Sequence, residues 1–338
     1  MSKQYNVVLV GIGAVGSEML KILEQRSFPI GQLTILARSS RQEEINGKPY
    51  RVTKADPREF AGADFVFFAG TEGAKGASAT YFPEAKKQGA VCIDNGADFR
   101  LDPEVPLVVP EVNPEDIALH QGLIASPNCS TIQMVVALAP LHRTSPIRRV
   151  IASTYQAVSG SGRAAIEELR EQSPRVLAGD SVIPCQAYPQ RIAFNVLPQI
   201  GGFAELDFTS EEWKMDRETA KILHSPEIRV SATTIRVPVF NVHSESVYIE
   251  TDRPIPVEEA REILKNAPGV VLIDEPEQGK YPTCLDADGE DPVFVGRIRR
   301  DPHIANGLHL WIVSDNIRKG AALNVIQIAE RMIADGMV

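Results

Sequence analysis

Apolar and polar positions along the first 125 residues alternate in two kinds of short block. Asn6–Val10 is a β-branched apolar run that predicts a buried strand, and Ser17–Gln25 places Met19, Leu20 and Leu23 on one helical face. Leu33–Ala37 predicts the next strand, with Asp64–Ala69, Ala90–Ile93 and Gly122–Ala125 as further buried-strand candidates. Strand, helix, strand at this spacing predicts an α/β unit with a parallel sheet and right-handed crossovers. From about residue 148 the β-like runs lengthen: Arg149–Gln156, Ile228–Val239, Ser246–Thr251 and Leu308–Ser314. Helical stretches such as Gly162–Glu171 and Val257–Asn266 lie between them, which predicts an α+β domain with a mainly antiparallel sheet. The last segment, Lys319–Asp335, carries Leu323, Ile326, Ala329 and Ile333 at helical spacing, with Gly336 placed to end the helix.

Composition narrows the function classes. A chain of 338 residues, 43% hydrophobic and 23% charged, is long enough for two domains, each with its own core. Its net charge of -9 provides no electrostatic footprint for nucleic acid or an anionic membrane surface. No run approaches 18 apolar residues, and the N-terminal apolar run leads into a glycine motif, not a cleavage site. The four cysteines, Cys92, Cys129, Cys185 and Cys284, lack disulfide or metal-ligand spacing. The expectation is a reduced, cytoplasmic protein without a metal, and the open question is whether one cysteine is a nucleophile.

Gly11, Gly13 and Gly16 form GxGxxG between the first strand and the first helix, with Ala14 and Val15 inside the motif. Such glycines permit a tight turn and close approach of a pyrophosphate to the helix N-terminus, so a dinucleotide site is expected. The second strand ends in Arg38-Ser39-Ser40-Arg41, with no acid before Glu43. A ribose 2′-phosphate suits Arg38 and Ser39 better than a bare hydroxyl does, which favours NADP.

Ser126-Pro127-Asn128-Cys129-Ser130-Thr131 follows a strand and precedes the helical run Ile132–Leu138. Cys129 then sits in a first helical turn, where the dipole and free N–H groups lower a thiol pKa and stabilise an oxyanion. Cys92, in Val91-Cys92-Ile93, reads as a core residue. His243 stands in the polar cluster His243-Ser244-Glu245, where a carboxylate is placed to tune the imidazole. Arg236 and His243 are an odd number of positions apart, so an unbroken strand would point them to opposite faces. If both serve one site, Pro238 or Asn241 should mark a bend or bulge. Thr209 and Glu212 fit a capping box, and Glu211 and Lys214 are left on one helical face as an ion pair or a charged clamp.

Six segments together resemble the bacterial aspartate-β-semialdehyde dehydrogenase family, nearly end to end. They are residues 127–131, 155–160, 236–239 with 243–245, 211–214, 296–299 and 314–322. The resemblance implies a Rossmann-type NADP-binding domain (1–127 and 315–338) and a catalytic and dimerisation domain (128–314). It implies NADPH-dependent reductive dephosphorylation of aspartyl-β-phosphate through a thioester on Cys129, in lysine, threonine and methionine biosynthesis. His243 would be the acid/base and Gln156 would orient the reacting centre. Arg236 would hold the substrate α-carboxylate, Glu211 the amino group, and Lys214, Arg100 and Asn128 the phosphate. Ser159, Gly160 and Asn316 would join the glycine motif in contacting the cofactor, and a homodimer or homotetramer is implied.

Two departures stand out. Val10–Gly16 lacks the family's first Gly and its Thr, and Asp94-Asn95-Gly96-Ala97-Asp98-Phe99-Arg100 replaces two hydroxyls and gains Asp98. The latter string resembles the sister family, N-acetyl-γ-glutamyl-phosphate reductase, while the nucleophile motif does not. That reductase and a non-catalytic paralogue are the competing readings.

Overall fold

The computed structural model describes residues 3–70 and 76–338. In chain order its elements begin β1 Tyr5–Val10, α1 Ala14–Gln25, β2 Ile30–Ala37, β3 Arg41–Ile45, β4 Lys48–Lys54, β5 Phe65–Phe68, α2 Ala77–Lys87, β6 Val91–Asp94 and β7 Leu123–Ala125. Then come α3 Cys129–Thr144, β8 Ile147–Gln156, α4 Arg163–Leu177, α5 Ser210–Ile222, β9 Arg229–Arg236, β10 His243–Thr251 and α6 Val257–Lys265. The chain ends with β11 Val270–Leu272, α7 Cys284–Ala287, β12 Val293–Arg300, β13 Gly307–Ser314 and α8 Leu323–Ala334. Two compact units result, Met1–Pro127 with Ala321–Val338, and Asn128–Gly320.

The first unit is a seven-stranded sheet in the order β3-β4-β2-β1-β5-β6-β7, parallel except for β3 at its edge. Reversal of strand order about β1 puts the β1–α1 turn at the switch point where such sheets bind ligands. The core joins Leu9, Phe65, Phe67 and Ile93 of the sheet to Met19, Ile22 and Leu23 of α1 and Ile326, Ile328 and Met332 of α8. The expected C-terminal helix therefore packs in the first unit, and Gly336 (φ 67°) ends it, its neighbour Met337 donating to the Met332 carbonyl. The expectation placed the return to this unit at 315, but residues 315–320 are tied to the second unit. Asp315 accepts from Gly289 N at 2.9 Å, and Arg318 pairs with Asp291 at 2.6 Å. The sequence reading passed over β3 and β4, which are short, polar and largely exposed.

The second unit is a six-stranded sheet, β11-β12-β13-β10-β8-β9, with its three central pairings antiparallel and the pairings at both edges parallel. Helices α3 and α5 pack against one face. Helix α3 is buried on all sides, Ser130 through Ala139 without a break, and beyond Gln133 this stretch is apolar all round. The other face is half open, with Ile151 exposed and Tyr155 packed against Trp311 at 5.7 Å between ring centroids.

Candidate active site

Three of the expected residues form one row across the second sheet. Gln156 ends β8 in register with Arg236, the last residue of β9. His243 opens β10 opposite Ser314, and the next pair, Ser244 with Tyr155, puts His243 beside Gln156. All three are on the helix-covered face and at most 4% exposed. The odd spacing of Arg236 and His243 is met by bends at Pro238 and Asn241, as expected, within a crossover between the two strands. Strand β9 stops at Arg236, three residues before the predicted end, and β9 and β10 flank β8 from opposite sides. Val242 (φ 74°) ends the crossover in the left-handed region, costly for a β-branched residue, and its N–H donates to Asn316 Oδ1 at 2.9 Å.

The peptide groups of Ala157 lock this row. Its N–H donates to His243 Nδ1 at 3.1 Å, and its carbonyl accepts from Arg236 Nη1 at 2.6 Å. Because Nδ1 accepts a backbone N–H, the neutral imidazole carries its proton on Nε2, which has no partner among the described residues. Burial, with Arg236 adding to it, holds the imidazole pKa well below the usual histidine value. Arg236 Nε is likewise buried without a partner among the described residues. Gly160, in the turn Val158–Ser161, lies against both side chains: a Cβ there would stand 2.9 Å from Arg236 Nη1 and 3.3 Å from His243 Nε2. The carboxylate expected to tune His243 does not touch it, since the backbone of Ala157 sets the ring.

Cys129 is the first residue of α3, half-buried, with Gly320 against it: a Cβ on Gly320 would meet Cys129 Cβ at 2.9 Å. The expected free N–H groups are partly used, because the Asn128 cap accepts from Ser130 N at 3.0 Å and Thr131 N at 3.3 Å. Asn128 Nδ2 donates to Glu211 Oε1 at 2.8 Å, so both ends of this amide are engaged within the protein. The same Glu211 oxygen accepts from Gln156 Nε2 at 3.4 Å, and Lys214 stands 3.5 Å from the other. Glu211 and Lys214 are thus a clamp joined to the row and not a surface pair. The predicted capping box exists: Thr209 N donates to Glu212 Oε2 at 2.7 Å and Glu212 N to Thr209 Oγ1 at 3.4 Å. Glu218, seven residues beyond Glu211, accepts from Asn128 N at 2.7 Å. That heptad spacing of acids on one helix face was a readable signal that the sequence analysis missed.

In the first unit the glycine turn fits a dinucleotide. Gly11 (φ 102°) lies so close to β5's exit that a Cβ would meet Ala69 at 2.7 Å, and one on Gly16 would meet the Gly11 carbonyl at 2.1 Å. Gly13 faces open space, and α1 begins at Ala14 with neither a side-chain cap nor an acid in its first turn. The helix start is therefore left for an anion. Arg38 and Ser39 are exposed at the end of β2, along the edge where Gly11 N donates to Leu36 O at 2.9 Å. Glu43, the nearest acid in sequence, pairs with Arg41.

The remaining expected residues are engaged internally. Arg100 donates to the carbonyls of Ser126 (2.9 Å) and Asn95 (2.8 Å) in the first unit. The Ser159 hydroxyl and the Asn316 carboxamide bond each other in the second, with Nδ2 to Oγ at 3.0 Å. Cys92 is fully buried, which pushes its thiol up to about 12, as befits a core residue. Ala157 and Gly320 act through backbone or absence of a side chain, and no residue-type signal announced them.

A doubly wound dinucleotide-binding domain, together with a second unit that carries a cysteine at a helix start and a buried His-Gln-Arg row on its sheet, defines a nicotinamide-dependent oxidoreductase. Residues 6–120 match the semialdehyde dehydrogenase NAD binding domain, and residues 138–319 the semialdehyde dehydrogenase dimerisation domain. Aspartate-semialdehyde dehydrogenase from Aquifex aeolicus is 48% identical over 341 residues, 99% of each chain. That from Bacillus subtilis is 46% identical over 344 residues, 98% of each. The crystal structure of aspartate semialdehyde dehydrogenase II complexed with ASA from Vibrio cholerae aligns with TM-score 0.93 at 43% identity, covering 99% of each chain. The chain belongs to the aspartate-semialdehyde dehydrogenase family.

Proposed function

We propose that the chain converts aspartyl-β-phosphate to aspartate-β-semialdehyde and phosphate with NADPH as reductant, through a thioester on Cys129. The observation that carries this reading is the row of Gln156, Arg236 and His243, clamped by Glu211 to the helix start that bears Cys129. Cys129 Sγ attacks the acyl carbon, and the C–O bond to phosphate breaks, leaving the acyl group on sulfur. When bound, the dinucleotide supplies hydride for reduction of that thioester. The C–S bond then breaks, releasing the aldehyde and restoring the thiolate.

His243 presents its Nε2–H, and the low basicity of the buried ring keeps it a neutral donor to the substrate oxygen as charge develops there. Arg236, anchored through Nη1, turns its unpartnered Nε to the substrate α-carboxylate. Glu211 receives the α-ammonium group, and Lys214 beside it faces the phosphate. Asn128 serves by holding the helix start. In the first unit, Gly11, Gly13 and Gly16 cradle the pyrophosphate, and Arg38 with Ser39 favours a 2′-phosphate, hence NADP. The product feeds lysine, threonine and methionine synthesis in a reducing cytoplasm, and the active form is a homodimer joined through the second unit.

Purified protein should reduce NADP in a phosphate-dependent reaction with aspartate semialdehyde. Cys129→Ala should lower kcat by at least about a thousandfold with its melting temperature retained. Turnover of N-acetylglutamate semialdehyde instead would replace this reading with the sister reductase; the buried carboxylate of Glu211 argues against that substrate's uncharged amide.

A further inference from the structure

Glu245 is fully buried, lies two residues from His243 on the same face of β10, and has no part in the mechanism above. Across the sheet it stands opposite Thr154 of β8 and Ile312 of β13, neither of them ionisable. Above it, α3 presents Ser130 and Gln133, three apart and next to Cys129. Both Glu245 oxygens, both polar atoms of the Gln133 amide and the Ser130 hydroxyl are buried, and none closes a hydrogen bond in good geometry within the described chain. Polar atoms of three side chains thus meet in one buried cluster at the first turn of α3. An apolar filling would stabilise the fold more cheaply, so this buried polar cluster calls for a function.

We propose that Glu245 is a positioning residue whose carboxyl group couples the strand carrying His243 to the first helical turn carrying Cys129. It does so as a neutral acid, donating its O–H to the amide or hydroxyl of α3 and accepting in return. Burial pushes the carboxyl well above its usual range, and the carboxylate of Glu211 on α5 opposes ionisation further. His243 on its own strand is held neutral, and contacts with Gln133 and Ser130, which favour the ionised form, are outweighed by burial. An ionised Glu245 repels Glu211 and can only accept, which disturbs the alignment of thiol and imidazole.

The proposal rests on Cys129 and His243 as the reacting pair, and its test separates the two readings. Wild-type turnover checks the reaction itself. Glu245→Gln, neutral and isosteric, should keep kcat within about threefold of wild type. Glu245→Ala should lose at least about tenfold in kcat with KM little changed, since alignment and not binding is lost. Without any substrate, the infrared difference between wild type and Glu245→Gln at neutral pH should contain the carbonyl stretch of a protonated carboxylic acid. The melting temperature of wild type should also fall more steeply with rising pH than that of Glu245→Gln. The folded form retains a proton that the unfolded chain releases above the usual carboxylate range, so stability declines from there up through the raised folded value. Equal impairment of Gln and Ala variants, full activity of the Ala variant, or absence of the acid band would overturn the proposal; should the Ala variant fail to fold, the Gln variant's kcat and the band decide.

Discussion

Ala157 contributes a methyl group and two backbone polar groups, and those backbone groups fix the chemistry of two side chains. Its N–H decides which imidazole nitrogen of His243 is protonated, and its carbonyl fixes the guanidinium of Arg236. Gly160 completes the arrangement by having no Cβ. Gly160→Ala should therefore cut kcat/KM by at least about tenfold, because a displaced Arg236 or His243 loses its aim. Its backbone is not in the left-handed region, so the melting temperature should move little, and steady-state kinetics with a thermal melt checks both. At this scale the sequence marked candidates where a side chain stands out from its surroundings, Cys129 in a polar turn and His243 in a polar cluster, while Arg236 was named by the resemblance and Glu218 was passed over. Ala157 and Gly320 were not readable, because a peptide group and a missing side chain look alike at every position.

Among the elements, α3 carries the most consequence. Asn128 starts it by accepting two of its N–H groups and is held in turn by Glu211 and Glu218 of α5. Asn128→Ala should cost about 1–2 kcal/mol by loss of the cap and should lower kcat as well, since Cys129 follows directly. Denaturant unfolding and turnover measured on the same preparation test this. The pattern predicted this helix from a first turn at Cys129 as far as Leu138 and not on to Thr144, because a helix buried all round has no polar stripe to mark its length. The β3–β4 hairpin carried a plain signal at Asn46-Gly47, with φ of 53° and 75° at the turn, but its polar strands hid it. The crossover from β9 to β10 was only half legible. An odd spacing demanded a break, yet the insertion of β8 between the two strands depends on pairings distant in sequence.

Across the whole molecule, the second unit leaves one sheet face partly uncovered, and its middle mixes apolar and aromatic side chains with the hydroxyls of Ser153 and Ser246. Ile151, 39% exposed, lies there with Tyr155, Trp311 and the tilted ring pair Tyr248–His309, 4.8 Å apart. A partly open face with aromatic and apolar side chains of this kind is the natural surface for the second copy of the proposed homodimer. Ile151→Arg should shift the protein to monomer in light scattering, because two copies of a charge on an isologous face oppose each other; wild-type mass in that variant would rule this face out. The discontinuity of the first unit was implied by the resemblance; by itself, the sequence determined the two kinds of unit, the glycine turn and Cys129 as the candidate nucleophile. Each is written in local periodicity or in a short run of residues whose chemistry is their own. Only the tertiary structure decided that Gln156 lies between Arg236 and His243, that one peptide holds both, and that Glu245 faces the helix of Cys129 and not the imidazole. Those relations arise from register between strands far apart in the chain, which no local pattern encodes.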